Sequence, residues 1–194
     1  MIDPKEVQQF FDRLAPGWDA DMVRNDALIR LILDGAGVCP GKSILDVACG
    51  TGVLIPDYLA RGASSVTAVD LSPEMVKIAR EKFPQENVSV LCGDASDTDF
   101  GRSFDCIVIY NAFPHFADPE KLISHLAGFL KPGGTLTVAH GASRETIDAH
   151  HGGSARRVSN GLMTAEELAA LFGKYLTVSV VISDDKMYQV TGVK

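Results

Sequence analysis

The sequence predicts an α/β fold: a doubly wound, seven-stranded, mostly parallel sheet that ends in an antiparallel C-terminal hairpin, with helices on both faces. Three observations support it. Apolar runs alternate with segments of helical periodicity from residue 43 to residue 139. The run Phe104–Tyr110 is continuously apolar, as in strands that are buried on both faces of a parallel sheet. Two alternating segments flank Asp184-Asp185, which is typical of a hairpin.

The composition is that of one soluble globular domain spanning residues 1–194. The chain has 46% hydrophobic and 22% charged residues, and its formal net charge is −7. Because nucleic-acid binders usually present a basic face, this balance disfavours a nucleic-acid partner. No apolar run is long enough to span a membrane, and no signal peptide is evident. The four cysteines share no CxxC spacing, so we expect reduced, mostly buried thiols and a cytoplasmic protein.

The first 35 residues are expected to form two helices, which together would make an N-terminal helical cap. Pro16-Gly17 ends the first helix, and the second is expected over Met22–Leu33, where Gly35 and Gly37 follow. The first helix has one apolar face with helical spacing, made of Val7, Phe10, Phe11 and Leu14.

The remaining elements follow in βα order. Thr164 and Glu167 form a capping box that begins the last helix, and Lys131–Gly134 is a strong turn signal. Strands are expected over residues 43–47, 65–69, 87–91, 104–110, 135–139, 176–183 and 186–193, and helices over 53–60, 73–83 and 119–130. Open α/β sheets bind ligands at the carboxyl ends of their strands, so the site should follow residues 47, 70, 92, 110 and 139.

The strongest motif is a glycine-rich turn between the first strand and its helix, Ile44-Leu-Asp-Val-Ala-Cys-Gly-Thr-Gly52. Gly50 and Gly52 let the backbone approach a ligand closely, and the following helix offers free N–H groups. Asp70 ends the second strand about 20 residues on, where a carboxylate binds a ribose diol. The pair indicates a nucleoside ligand.

The loop favours a nucleoside that carries an amino acid over one that carries a diphosphate. Ile55 stands where dinucleotide-binding loops have their third glycine, and no GKS or GKT follows for a Walker-type phosphate site. Asp46 would repel a phosphate but could interact with an ammonium group. S-adenosylmethionine (SAM) is such a ligand.

Several stretches together resemble the class I SAM-dependent methyltransferases, a Rossmann-like family, and specifically the ubiquinone/menaquinone-biosynthesis type. The resemblance covers residues 10–140 well, and Ala48 stands where the family often has its first loop glycine. The matching stretches are residues 45–52, 69–75, 93–95, 104–111 and 130–134.

This resemblance implies roles for individual residues. Asp70 should hold the ribose hydroxyls and Asp94 the adenine amine, with the backbone of Ala95 nearby. Leu71 and Met75 should line the adenine face, although Met75 could equally be core. Asn111 should face the methionine end.

Phe10, Trp18 and Asp19 belong to a segment that caps the site in similar enzymes, and Trp18 could contact the ligand or simply pack.

The methyl acceptor is expected to be a small molecule with an O, S or N nucleophile, because the loop after the fourth strand, Asn111-Ala-Phe-Pro114, lacks the paired prolines of nucleic-acid amine methyltransferases. His115 and His140 follow the fourth and fifth strands and are the candidate bases or orienting groups, since histidine titrates near neutral pH. Either could equally be a hydrogen-bonded loop histidine.

Residues 141–163 are expected to lie on the substrate side. This segment could be a lid that carries Arg144 and His150, or a solvated insertion. Arg144 and Arg156-Arg157 could instead grip an anionic substrate. His140, His150 and His151 could gather as metal ligands, but spacing alone assigns no metal.

Two other function classes stay open at this point. A binding or regulatory module could retain SAM without turnover, because the loop reports only cofactor binding. A nicotinamide-dependent oxidoreductase is disfavoured by Asp46 and Ile55. Whether the protein is a monomer or a homodimer is not determined by the sequence.

Overall fold

A computed structural model describes residues 2–150 and 157–194 of the chain. Its sheet has seven strands in the order β3-β2-β1-β4-β5-β7-β6, of which the last two pair antiparallel to their neighbours. The predicted fold class is therefore confirmed. The strands are β1 (Ser43–Val47), β2 (Ser65–Asp70), β3 (Val88–Cys92), β4 (Phe104–Tyr110), β5 (Leu130–His140), β6 (Thr177–Ser183) and β7 (Tyr188–Val193).

The helices cover both faces of the sheet and bury its apolar side chains against two main cores. Helices α2, α3 and α4 contribute to one core, and α5, α6 and α7 to the other. The helices are α1 (Pro4–Leu14), α2 (Asp26–Gly35), α3 (Ile55–Ala60), α4 (Pro73–Lys82), α5 (Pro119–Gly128), α6 (Arg144–His150) and α7 (Ala165–Phe172), with 3₁₀ turns at Ala15–Gly17 and Phe113–His115.

The strand order reverses between β1 and β4, and this reversal positions the site. Val47, the last residue of β1, pairs with Val69 of β2 on one side and with Ile109 of β4 on the other. The chain leaves β1 toward β3 and returns to β4, so the loops after β1 and β4 diverge and leave a crevice between them.

Most element boundaries lie within two residues of the sequence prediction, and the two larger differences have local reasons. Helix α2 begins at Asp26 because the Asn25 side chain accepts a hydrogen bond from Leu28 N–H and caps the helix there. Strand β5 begins at Leu130 rather than Thr135, because Leu130 already pairs with Phe104 before a register shift in the ladder. The Lys131–Gly134 turn signal thus lies within an irregular strand.

Helix α6 occupies part of the segment that the sequence left open between a lid and a solvated insertion. Ile147 is buried in the core, and Asp148 Oδ1 accepts a hydrogen bond from Leu162 N–H at 2.9 Å. Arg144 Nε donates to the Leu162 carbonyl at 2.8 Å. These contacts tie α6 to the chain before α7. His151 and Arg156 lie outside the described residues.

All four cysteines are free thiols, but only two are buried. Cys49 and Cys106 are buried, whereas Cys39 and Cys92 are exposed, so the expectation of mostly buried thiols is half right. Across residues 2–150 and 157–194, no helix combines the length and apolar character needed to cross a membrane.

Candidate active site

A cavity of about 720 Å³ lies where the carboxyl ends of β1, β2, β3 and β4 meet. The N-terminal segment, defined here as residues 2–35, forms part of its wall. Gly52 and His140 are the two predicted site residues that do not line it. The structure brings the others together on this wall: Trp18, Asp46, Ala48, Gly50, Asp70, Leu71, Met75, Asp94, Ala95, Asn111 and His115.

The glycine loop follows β1 as a tight backbone turn. Ala48, Gly50 and Gly52 all have positive φ angles, of 54°, 55° and 85°. For Ala48 this left-handed conformation costs about 1–2 kcal/mol. A Cβ on Gly52 would come within 2.5 Å of the Phe83 ring. Gly52 therefore lies behind the cavity wall, where it permits close packing of the loop against the end of α4.

Asp70 holds the loop in place from the end of β2. Its Oδ2 accepts a hydrogen bond from Gly50 N–H and its Oδ1 accepts one from Ser72 N–H, both at 2.8 Å. Burial raises the pKa of Asp70, and these two hydrogen bonds oppose only part of that effect. A carboxylate offers about four lone-pair sites, so both oxygens can still accept hydroxyl donors from a ligand.

Asp46 is a buried carboxyl group on the same wall. Its Oδ1 accepts a hydrogen bond from the Tyr58 hydroxyl at 3.2 Å, while Oδ2 has no hydrogen-bond partner in the described part of the chain. Burial raises the pKa of Asp46 to about 7, helped by the nearby charge of Asp70. An unpaired buried carboxylate oxygen beside a cavity is suited to a cationic donor from a ligand.

The cavity continues past the ends of β2 and β3 along an apolar face. Met75 is buried at the N-terminal turn of α4, and Leu71 is half-buried in the preceding turn. Asp94 Oδ1 accepts a hydrogen bond from Ser96 N–H at 2.8 Å. This part of the cavity combines a flat apolar surface with a carboxylate at its end, which is suited to a planar ring that carries an amine.

The N-terminal segment is joined to the opposite wall by polar contacts that the sequence did not predict. Asp19 accepts a hydrogen bond from the Thr51 hydroxyl at 2.5 Å and forms an ion pair with Lys82 at 2.7 Å. Asp12 accepts one from the Ser72 hydroxyl at 2.5 Å. Burial alone would raise the pKa of Asp19, but the contacts with Lys82 and Thr51 outweigh it and lower that pKa.

Trp18, Phe11 and His115 form an aromatic wall between the N-terminal segment and the loop after β4. Phe11 contacts Trp18 and His115 edge-to-face, with ring centroids 5.8 and 5.0 Å apart. His115 Nδ1 lies 2.7 Å from the carbonyl oxygen of Val158. Because a carbonyl can only accept, Nδ1 carries the proton and Nε2 is the basic nitrogen of the neutral ring.

His140 lies apart from this wall. Its ring is buried, with 2% of the residue exposed, and it packs edge-to-face on Tyr188 with ring centroids 5.9 Å apart. Even-numbered side chains at this end of β5 face the core beside α5 and α7, as Leu136 and Val138 do. The base role of His140 stays a sequence-based prediction, which the placement of the ring does not favour.

Asn111 and Arg24 shape the end of the cavity near the glycine loop. Asn111 has a positive φ of 54°, and its Oδ1 accepts a hydrogen bond from Gly141 N–H at 2.9 Å. Arg24 donates to the carboxylates of Asp26 and Asp57 at 2.7 and 2.6 Å, and to the carbonyl of Val53 at 2.6 Å. The sequence analysis did not single out Arg24, because its partners lie up to 33 residues away.

The predicted gripping and metal-binding roles of the 141–163 segment find no support in the described residues. Arg144 borders a separate cavity of about 690 Å³ beside α6, not the one described above. In residues 2–150 and 157–194 there is no group of three His, Cys, Asp or Glu side chains that could hold a metal ion.

A family model described as a methyltransferase domain matches residues 44–134. A demethylmenaquinone methyltransferase from Renibacterium salmoninarum is 35% identical over 145 residues, which cover 70% of this chain and 59% of that protein. A ubiquinone biosynthesis O-methyltransferase from Xanthomonas campestris pv. campestris is 40% identical over 140 residues, covering 68% and 58%. The chain thus spans less than two thirds of the length of these curated relatives.

Solved structures show the same fold at low sequence identity. One is the putative methyltransferase of Haloferax volcanii in complex with its Trm112 activator, with a TM-score of 0.77, 22% identity and coverage of 98% of this chain and 97% of that one. Another is the N-methyltransferase NodS of Bradyrhizobium japonicum in complex with S-adenosyl-l-homocysteine, with a TM-score of 0.74, 17% identity and coverage of 97% and 98%.

Proposed function

Because this chain belongs to the class I SAM-dependent methyltransferases, we propose that it transfers a methyl group from SAM to an O, S or N atom of a small-molecule acceptor. The observation that carries the proposal is the single cavity that joins the glycine loop, Asp70, Asp94 and His115. It offers a nucleoside-binding surface and a candidate base within one space.

The residues of the cavity fit SAM in three respects. The two oxygens of Asp70 can accept the ribose hydroxyls while they keep their bonds to Gly50 and Ser72. The unpaired Oδ2 of Asp46 can accept an N–H from the ammonium group of the methionine part. The apolar face at Leu71 and Met75, with Asp94 at its end, can hold the adenine ring and its amine.

When bound, SAM supplies an electrophilic methyl carbon on a sulfonium. The chain's own contribution is to align the acceptor with that carbon and to take its proton. We assign the proton to Nε2 of His115, because the Val158 carbonyl fixes the ring with the proton on Nδ1. An acceptor that donates its O–H, S–H or N–H to Nε2 becomes a better nucleophile.

The N-terminal segment would act as the cap of this site. Phe11 and Trp18 place apolar rings over the cavity, while Asp12 and Asp19 hold the segment to α4 and to the glycine loop. Covering the site in this way excludes water from the reacting groups. Since Trp18 is the only tryptophan, its fluorescence reports on this region.

The two alternative functions have less support. The relatives described above are named methyltransferases, and the third glycine of a dinucleotide-binding loop is replaced by Ile55. A SAM-binding module without turnover would not need a histidine whose tautomer is fixed inside the cavity.

Calorimetry with SAM, S-adenosylhomocysteine and NAD tests the cofactor assignment directly. We expect binding of both SAM and its demethylated product, a fluorescence change at Trp18, and no binding of NAD. Binding of NAD without SAM would reject the proposed function. Release of S-adenosylhomocysteine in the presence of small aromatic alcohols, thiols and amines then separates a methyltransferase from a silent SAM-binding module.

A further inference from the structure

The charged side chains around the cavity are unevenly balanced. In the described part of the chain, only two cationic side chains line it, Arg24 and Lys121. The carboxyl groups on the same wall are more numerous: Asp21, Asp46, Asp70, Asp94, Asp97 and Asp118. Three of them are assigned to the cofactor and Asp97 is paired with Lys121, so Asp21 and Asp118 are the carboxyl groups left to oppose a second anion that enters beside the cofactor.

Neither cation is available to such an anion. All three nitrogen atoms of the Arg24 guanidinium already donate, to Asp26, to Asp57 and to the Val53 carbonyl. Lys121 forms an ion pair with Asp97 at 2.6 Å, at the end of the cavity where Asp94 lies.

The surface around His115 is aromatic and apolar instead. Phe11 packs edge-to-face on both His115 and Trp18, and Met22 and Val23 are further apolar side chains that line the cavity. Aromatic side chains of this kind bind planar rings by offset stacking or edge-to-face contact.

Resting on the proposed function, we infer that the acceptor is an aromatic molecule whose ring carries the O–H, S–H or N–H group and no carboxylate, phosphate or sulfate. In the transfer, its heteroatom bonds to the methyl carbon and its proton goes to Nε2 of His115. The electron pair of the broken carbon–sulfur bond stays on sulfur. The acidic side chains of the cavity then disfavour acceptors that carry an anionic group, while the aromatic side chains bind the ring of the acceptor.

Matched acceptor pairs test this inference. Catechol and 3,4-dihydroxybenzoate, thiophenol and 2-mercaptobenzoate, and aniline and 4-aminobenzoate differ within each pair by one carboxylate. Binding to the full chain with S-adenosylhomocysteine is measured by calorimetry, and turnover with SAM by release of S-adenosylhomocysteine. We expect the uncharged member of at least one pair to bind and to have a kcat/KM about tenfold or more above that of its carboxylated partner.

A charge added at the rim sharpens the test. Val23 lines the cavity and is 98% exposed, so Val23→Lys places a cation at the mouth without disturbing the core. Leu31→Lys is the matched control, because Leu31 is 60% exposed on α2 and does not line the cavity. Val23→Lys should lower the ratio of kcat/KM for the uncharged member to kcat/KM for its carboxylated partner several-fold, roughly as expected for one added charge near a surface. Leu31→Lys should leave this ratio unchanged.

The outcomes separate the inference from the proposed function. A carboxylated member that binds and turns over as well as its partner overturns the inference but leaves methyl transfer intact. Absence of binding by every uncharged member overturns the inference as well. Equal effects of Val23→Lys and Leu31→Lys show that wall charge is not what excludes anions, which also overturns it. Failure to bind SAM rejects the proposed function itself.

Discussion

The two walls of the cavity are built in different ways. One wall is the glycine loop after β1 together with the end of the neighbouring strand β2, and it is joined through a backbone group, in the bond from Gly50 N–H to the Asp70 carboxylate. The opposite wall, in the N-terminal segment, depends on side chains that reach far along the sequence. Asp12 meets Ser72 over 60 positions, and Asp19 meets Lys82 over 63.

This difference implies different mobility and different sensitivity to mutation. The glycine loop follows a fully buried strand, so its position is as stable as the sheet itself. The N-terminal segment is held by partly exposed polar contacts, of which a surface ion pair contributes only about 0–1 kcal/mol. We therefore expect the loop side to fix the cofactor and the N-terminal side to open and close over it.

The largest effect is expected at His115, where the two walls meet. His115→Asn retains an N–H near the Nδ1 position for the Val158 carbonyl but removes the base, so kcat should fall by about 10²–10⁴-fold with SAM affinity nearly intact. Steady-state kinetics with an accepted substrate and calorimetry with SAM measure the two quantities separately.

His125→Gln is the control for that substitution. The His125 ring also bonds a backbone carbonyl, that of Thr98, but lies outside the cavity, and its replacement should leave kcat unchanged. His140→Gln tests the other predicted base. A large loss of kcat in His140→Gln with normal turnover in His115→Asn would reverse the assignment.

On the loop side, Asp70→Ala should weaken SAM binding about 10²-fold or more. The two ribose hydroxyls would lose their carboxylate acceptor, and hydrogen bonds to a charged group contribute about 1.5–3 kcal/mol each. Asp99→Ala is a matched control, since Asp99 caps a turn by accepting from Gly101 N–H just as Asp70 accepts from Ser72 N–H. Circular dichroism verifies the fold, and an unchanged dissociation constant in folded Asp70→Ala would remove this residue from the site.

The loop side should also make cofactor binding depend on pH. Asp46 must be ionised to accept from an ammonium, and its pKa is raised by burial to about 7. SAM affinity should therefore rise about tenfold between roughly pH 6 and 8, as the ionised fraction grows. Calorimetry of wild type and Asp46→Asn across this range measures the effect. A slope that persists in Asp46→Asn would assign it to another group.

The raised pKa of Asp46 also affects the stability of the ligand-free protein, which should fall as the pH rises. Because the folded-state pKa of Asp46 lies above its ordinary value of 3.8, the folded state binds the proton more tightly than the unfolded chain does. Its contribution to the free energy of unfolding is therefore largest at low pH and is lost as pH rises through about 7. Thermal melts without SAM should therefore show falling stability as pH rises toward about 7. Saturating SAM should remove most of this fall, because it binds the form in which Asp46 is ionised.

On the N-terminal side the effects should be smaller. Asp19→Ala removes the contacts with Thr51 and Lys82 and should weaken SAM binding only about threefold, in line with partly exposed polar contacts. Asp21→Ala is the control, because the Asp21 side chain also lines the cavity but makes no hydrogen bond or ion pair within the described part of the chain. If Asp19→Ala weakened SAM binding as much as Asp70→Ala does, the two walls would contribute equally to SAM affinity.

The sequence by itself determined the βα order, the antiparallel hairpin and the identity of the cofactor loop. Each of these depends on local signals. Apolar runs such as Phe104–Tyr110 mark buried strands, and the positive φ angles at Gly50 and Gly52 demand residues that tolerate them. Asp70 was predictable because it ends a strand at a characteristic distance from the loop.

Only the tertiary structure decided which polar side chains reach the cavity. The sequence places both His115 and His140 at the carboxyl edge of the sheet, yet His115 lines the cavity while the His140 ring is buried against Tyr188. His115 lies in the turn after β4, whereas His140 is the last residue of β5, and its side chain points to the face of the sheet that α5 and α7 cover. The sequence placed Asp19 in the capping segment but did not predict its partners Thr51 and Lys82, and it did not single out Arg24, because these contacts form only when distant elements pack.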